Sequence, residues 1–475
     1  MSTQLINGAD LIALGYPESK ATGVALKTIE QHYTGTSKED VLVIMAKVLQ
    51  SPENYLDDEI LAAIGTALIE KPAEEEQIIP LKEIAEKYTV FGAANIEQGA
   101  IDQMEIAMKL PVTVAGALMP DAHQGYGLPI GGVLATTSNV IIPYGVGVDI
   151  GCRMALSIYD IPESHFLENK SKYKRELIAW TKFGAGNGWE RKHQPEHEIL
   201  DRAEFNTTPL IKSLHEKVHF QLGSSGGGNH FVEWGIIDFS ADDKQLNIKQ
   251  GRYLALLTHS GSRGFGGIIA GHYTKLAKDL CKLPKEAANL AYLDMNSAEG
   301  QEYWLAMNLA GDFASACHEV IHNRLTKAIG GQVLGKVENH HNFAWKEKWN
   351  GQDVIVHRKG ATPASKNVMG IIPGSMTAPG YLVRGKGLES AISSASHGAG
   401  RLMSRTQAIK SITKAEMIKV LQDHGVSLIG AGRDEAPMAY KNIETVMAAQ
   451  KELVDVVATF TPKMVRMADD GSKED

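Results

Sequence analysis

RYLALLTHSGSRGFGG, residues 252–267, holds the pattern that decides the fold. An apolar, strand-like run closes on His259 and passes at once into a glycine-rich loop. The same device recurs along the chain. VTVAGAL (112–118), SNVIIP (138–143) and QDVIVHRKG (352–360) are short β-rich runs bounded by turn residues. Helical periodicity is interleaved at 280–329, 405–423 and 433–460, without a regular strand–helix–strand rhythm. The expectation is an α+β fold with a complex mixed-sheet core, not a doubly wound sheet. Ahead of it, the stretch from about Ala21 to Glu70 reads as helices, and Thr36, Ser37 and Asp40 offer caps before the second. KPAEEEQIIP (71–80) combines prolines with an acidic run and reads as a linker. The organisation expected is a helical N-terminal extension and linker over 1–80 and a core over 81–475.

The chain has 475 residues, enough for a large core, and 43% of them are hydrophobic. A net charge of -8 argues against indiscriminate nucleic-acid binding, though it leaves room for a local basic groove. Candidates for that groove are Lys170, Lys172, Lys174, Arg175, Lys182, Arg358, Lys359, Arg401 and Arg405. The three cysteines, Cys152, Cys281 and Cys317, are widely spaced and form no disulfide framework, which fits a reducing compartment. No secretory pattern opens the sequence and no apolar run reaches the ~18 residues of a membrane span. A cytoplasmic protein without membrane association is expected.

The chemistry is carried by polar residues set in glycine. Asp149 and Cys152 stand three apart in GVGVDIGC, close enough to reach one cation or to bridge two. A buried structural cysteine is the plain alternative. His230 follows GSSGGGN, and His259 precedes SGSRGFGG; in both, flexible backbone can present N–H groups to phosphate oxygens. Arg263 adds a guanidinium fork suited to phosphate. Of the adjacent His340 and His341, a strand can turn only one into a given site. His397, in SASHGAGR with Arg401 four residues on and a helix pattern nearby, is placed to contact an anion as nucleophile, metal ligand or donor. HRKGATP (357–363) and IPGSM (372–376) read as further phosphate- or nucleotide-contacting loops. One separate pattern, His318-Glu319-Val320-Ile321-His322, matches the zinc-peptidase arrangement on a helical segment. That reading leaves every glycine-rich motif unexplained.

Taken in order, MPDAHQGYGLPIGG, VGVDIGC, GNHFVE, THSGSRG, HHN, HRKGAT, PGSM, SHGAGR and DEAPMAY resemble the RtcB family of RNA ligases over about residues 88–460. The resemblance implies an RtcB-like core and a ligase dependent on manganese and GTP. Such an enzyme joins an RNA end bearing a 3′-phosphate, or a 2′,3′-cyclic phosphate opened first, to a 5′-hydroxyl end. By position, Asp149, Cys152, His230, His259 and His341 are implied as ligands of two manganese ions, with Cys152 bridging. His397 is implied as the guanylylated histidine. The implied guanylate cradle is Asn229, His230, Phe231, Val232 and Glu233, with His341, Asn342, Pro373, Gly374, Ser375 and Met376, then His397, Gly398, Ala399, Gly400 and Arg401, and Tyr440 near the base. Arg263 and Arg401 are implied as phosphate contacts. Asp121 and His123 fit a supporting role or a purely structural one.

The chain departs from the family at two places. It ends PKMVRMADDGSKED, with no lysine where the family has one reading the guanine, and Gly380 stands in place of a serine. GTP and ATP therefore both stay open as the nucleotide. Two rivals of other classes stand beside the ligase: a non-ligating nucleotide- and RNA-end-binding member of the family, and a zinc peptidase through His318, Glu319 and His322. The RNA, any activating partner and the oligomeric state are not legible.

Overall fold

The strand Val454–Met467 is the spine of the larger sheet in this computed structural model, which describes residues 6–17, 20–69 and 77–469. Antiparallel neighbours follow it in the order Phe231–Phe239, Gly251–Ser260, Arg153–Tyr159 and Val333–His340; on its other side lie Gly380–Gly385 and Met369–Ile372. Ser427–Ile429 adds a short parallel strand beside its C-terminal end. A second, five-stranded sheet runs Tyr88–Val90, Thr113–His123, Ile130–Thr137, Gln352–Lys359 and Asn342–Trp349, antiparallel except for its first pair. Helices and mixed sheets interleave as an α+β fold.

The helix Ala298–Ile329 is the longest, at 32 residues. Ser297 caps its N-terminus by accepting from the Gly300 N–H, and Gly330 closes it in the left-handed region at φ 72°. Its buried face, which includes Met307, Phe313, Cys317 and Ile321, packs into the interior. No helix among the described residues is long and apolar enough to cross a membrane.

The chain divides into two units, Met1–Ile78 and Ile79–Asp475. The first has helices Gly8–Leu14, Lys20–His32, Lys38–Gln50 and Ala62–Ile69 around Leu11, Ala25, Val41, Met45, Val48 and Ile64. Ser37 caps the third of them through the Asp40 N–H. Of the linker 71–80, residues 71–76 lie outside the described residues.

Two sequence expectations fail locally. The helix read over 433–460 is two single turns, a six-residue helix Ile443–Ala448 and then the start of the spine strand. Valines 454, 456 and 457 satisfy either periodicity, and sheet pairing decides between them. Conversely, the glycine-rich RGFGGIIAG opens the 18-residue helix Arg263–Leu280. Glycine weakens a helix locally, but Phe265, Ile269 and Tyr273 bury one face of this one.

Candidate active site

Register brings the polar residues together. Phe231 pairs with both His259 and Met467, and Arg153 pairs with both Ser260 and His340. Cys152, His230, His259 and His341 therefore stand at one end of four adjacent strands. Asn342 and Lys359, paired across the second sheet, come to the same place. Together with the PGSM and SHGAGR loops, all of these except the fully buried His230 line a cavity of about 470 Å³.

Cys152, His230 and His259 offer ligand atoms that all lie within 4.8 Å of one another. The Cys152 thiol is 3.1 Å from His259 Nε2 and 3.6 Å from His230 Nε2. Asp149 Oδ2 is 3.0 Å from His230 Nε2, and His341 Nε2 is 3.2 Å from His259 Nε2. All five residues are buried. The tautomers follow from the backbone: His230 Nδ1 donates to the Ser225 carbonyl at 2.7 Å and His259 Nδ1 to the Asn229 carbonyl at 3.2 Å. Each Nε2 is thereby left as a bare lone pair. Burial, reinforced by the neighbouring His230 and His397, pushes His259 down to about 3, and burial holds His341 well below its ordinary value. Burial raises the Asp149 carboxyl, but His230, Cys152 and His259 outweigh it and keep the carboxylate ionised. Lone pairs, a thiol and a carboxylate aimed at one another are mutually repulsive without a cation, so the residues fit a metal. Gly261 makes the approach possible, because a Cβ there would sit 1.9 Å from Asp149 Oδ1.

His397 follows the short strand Ser394–Ser396, and no helix begins until Arg405, so the helix terminus expected beside it is absent. Asp121 supplies the electrostatics instead. Its Oδ2 accepts from His397 Nδ1 at 2.7 Å, from the His397 N–H at 3.1 Å and from the Gly398 N–H at 3.3 Å. Burial alone would raise the Asp121 carboxyl, yet His397, His123 and Lys441 hold it below its ordinary range. The carboxylate thus fixes the His397 proton on Nδ1 and leaves Nε2 as a lone pair. The His397 ring stands 4.9 Å, centroid to centroid, from His341. Gly400, at φ 73°, passes so close to the Asp121 carbonyl that a Cβ would lie 2.1 Å from its oxygen.

Most of the expected cradle lines the cavity: Asn229, Phe231, Glu233, His341, Asn342, residues 373–376 and 397–401, and Tyr440. His230 is fully buried among the metal-type ligands. Val232 is a correction: strand alternation turns it away from Phe231 and Glu233, into a core with Trp234 and Leu254. Arg263 is a second. It lies outside the cavity lining, fully buried, donating to Ser224 Oγ at 3.0 Å and to the Gly184 and Asn187 carbonyls at 3.1 and 3.4 Å. It ties two glycine-rich loops together behind the ligands. Arg401 does line the cavity, stacked 5.2 Å from the Tyr440 ring, but its donors go to Met403, Asp434, Glu435 and Tyr440.

Sequence reasoning passed over the particular roles of three residues. Lys359 lines the cavity with its ammonium on the Tyr126 and Tyr144 carbonyls, and burial pushes it down to about 7. Its neighbour Arg358 points into the core, on Glu347 and Ser394. Glu435 gathers Arg401, Arg405 and Tyr440. Met467 lines the end of the cavity at the spine strand. Only the motif membership of Lys359 and Glu435 signalled them; burial is invisible in a single sequence.

The zinc-peptidase arrangement is absent. His318 Nε2 meets the Ser260 carbonyl and Nδ1 meets Thr258 Oγ1; His322 Nε2 and Nδ1 meet Thr258 Oγ1 and Ser157 Oγ. All four ring nitrogens are occupied within the protein.

Comparison with known proteins agrees with this geometry. The family model described as "tRNA-splicing ligase RtcB" matches residues 103–468. RNA-splicing ligase RtcB of Escherichia coli (strain K12) is 32% identical over 399 residues, covering 77% of this chain and 93% of that protein. The tRNA-splicing ligase RtcB of Nanoarchaeum equitans is 30% identical over 473 residues, covering 85% and 98%. That of Archaeoglobus fulgidus is 31% identical over 429 residues, covering 74% and 87%. With the match running through every strand that carries a ligand-type residue, the chain belongs to the RtcB family.

Proposed function

We propose that this chain is a cytoplasmic RNA ligase that joins 3′-phosphate or 2′,3′-cyclic phosphate RNA ends to 5′-hydroxyl ends, using GTP and two manganese ions. The catalytic core is residues 81–475, and residues 1–80 are a helical extension and linker. Asp149, Cys152, His230, His259 and His341 would hold the metals; the Cys152 thiol stands near both His230 and His259. Bound manganese supplies charge neutralisation for the phosphates and polarises the attacked phosphorus.

The single observation that carries this reading is the Asp121–His397 pair beside the ligand cluster. An RNA 3′-phosphate has no usable leaving group, so it must be activated. His397 Nε2 attacks the α-phosphorus of the nucleotide, the bond to pyrophosphate breaks, and Asp121 stabilises the charge that forms on the ring. An oxygen of the RNA 3′-phosphate then displaces His397 Nε2 from that phosphorus, giving RNA-(3′)pp(5′)G. The 5′-hydroxyl attacks the RNA phosphorus, and GMP leaves. Neutral imidazole is competent near pH 7, where a lysine must first lose a proton. Phe231 and Glu233 flank the base, Tyr440 closes over it, and Asn342 and Lys359 lie beside the phosphates.

Covalent labelling tests the proposal. Protein loaded with manganese and given α-labelled GTP should carry acid-labile, base-stable label that His397→Ala loses. Protein that binds metal yet takes no label would overturn it in favour of a non-ligating binding member.

A further inference from the structure

The cavity has two ends of different chemistry. His397, Lys359 and the ligating groups of the Cys152 cluster crowd one end, while Arg401, Arg405 and Glu435, tied to one another, stand by Tyr440. The other end is built along the pairing of Phe231–Phe239 with the spine strand, where Phe231 faces Met467 and Glu233 faces Val465. Phe231 and Glu233 share a strand face, and Glu233 lies three residues, about 10 Å, along the strand from His230. Met376 and Pro462 complete an apolar slot. Within it Glu233 is the one side chain that offers hydrogen bonds from the strand pair.

Glu233 is 4% exposed, and its carboxyl makes no hydrogen bond among the described residues. The arginines that line the cavity are held elsewhere: Arg401 on the Asp434 carbonyl and the Glu435 carboxylate, Arg405 on the Asp434 and Glu435 carboxylates. Lys359 is engaged at the opposite end. With no cation among the described residues to offset it, burial pushes the Glu233 carboxyl well above the ordinary carboxylate range and favours its neutral form. A neutral carboxyl presents one O–H donor beside one carbonyl acceptor. Adenine meets that pair with the N6 amine beside N1. Guanine meets it with O6 beside N1–H, leaving its 2-amino group against apolar wall. Guanine would be favoured by an ionised carboxylate, which accepts N1–H and the 2-amino group together, but this slot does not sustain one.

We propose that the base end of this cavity takes adenine as readily as guanine, with Glu233 reading either purine, so that ATP serves His397 as a nucleotide donor alongside GTP. This rests on the nucleotidylation of His397 proposed above. The step is the same with either base: the His397 Nε2–phosphorus bond forms as pyrophosphate leaves.

The full chain, loaded with manganese, would be given α-labelled ATP and α-labelled GTP in parallel, and kcat/KM of adduct formation compared. ATP within about tenfold of GTP is expected. A preference for GTP above about a hundredfold overturns the inference. Glu233→Gln, which keeps a donor beside an acceptor but cannot ionise, should keep the GTP-to-ATP ratio within about threefold of the parent's, while Glu233→Ala lowers both rates. Loss of GTP use alone in Glu233→Gln would mean an ionised reader and overturn it. Met467→Lys places a cation near the base, and should raise the GTP-to-ATP ratio at least about tenfold by donating to guanine O6 and N7. Equilibrium binding of ATP and GTP to His397→Ala reads the slot without the chemistry. Equal affinity there with no adduct in the parent protein would remove the nucleotidylation reading and leave the base slot standing. Selective GTP binding there would sink the slot.

Discussion

Two sets of histidines in this molecule use one residue type in opposite ways. On the helix Ala298–Ile329, His318 and His322 sit four apart in a zinc-peptidase pattern, and each ring nitrogen has a partner. The Ser260 carbonyl can only accept, so His318 Nε2 donates to it and Nδ1 accepts from Thr258. The Thr258 oxygen receives His322 Nε2–H, and His322 Nδ1 receives the Ser157 hydroxyl. Every proton has a place, and the network ties the helix to two strands. In the cavity, carbonyls take the Nδ1–H of His230 and His259 and leave Nε2 bare. Motif spacing does not separate these two outcomes. The position of a carbonyl or hydroxyl contributed by another segment does.

The contrast can be broken by mutation, and the largest effect should come from His397. His397→Ala is expected to lower nucleotide adduct formation by more than about 10⁴-fold, while Glu319→Ala leaves it unchanged. Loss of activity in Glu319→Ala would restore the helix motif to the chemistry. Next, Asp121→Asn should cut adduct formation by about 10²–10⁴-fold with metal content intact, because an amide no longer fixes the Nδ1–H tautomer. A variant as fast as the parent would show that Asp121 only supports the loop.

Metal titration sharpens the comparison further. Cys152→Ala should weaken manganese binding by about 100-fold or more, whereas His322→Asn should leave the stoichiometry alone. Equal losses in both would mean that the helix histidines are themselves ligands.

The smallest effect is on stability against pH. Burial pushes His318 and His357 down to about 4 and His322 to about 3. Unfolded, each titrates near ~6.5. A depressed histidine contributes its full stability above the unfolded value and loses it as pH falls toward the folded one. At pH 5 each should cost about 2 kcal/mol. Chemical denaturation between pH 7 and 5 should show this fall, and His322→Asn should make it shallower. An unchanged slope in that variant would mean that His322 is protonated in the folded protein as well.

Local signals reach the sequence reader because they depend on neighbours in the chain. The apolar runs, the helix caps and the glycines around Asp149, His230, His259 and His397 were all legible, and so was the α+β character. Gly261 and Gly400 illustrate why: each clears backbone space for a carboxylate or carbonyl of another segment, and that need leaves its trace as glycine. The failures are equally physical. Arg263 looked like a phosphate contact, because nothing local tells that the Gly184 and Asn187 carbonyls will claim it. Val232 was grouped with its neighbours although strand alternation turns it to the far face.

The sequence by itself determined which residue types the chemistry has at hand: a thiol, carboxylates and imidazoles in backbone that bends closely. Tertiary structure alone decided which imidazoles hold bare lone pairs, that Asp121 aims His397, and that Glu233 is sealed in an apolar slot with no cation beside it among the described residues. Hydrogen-bond direction and burial are set by segments hundreds of residues apart, and strand register brings them together.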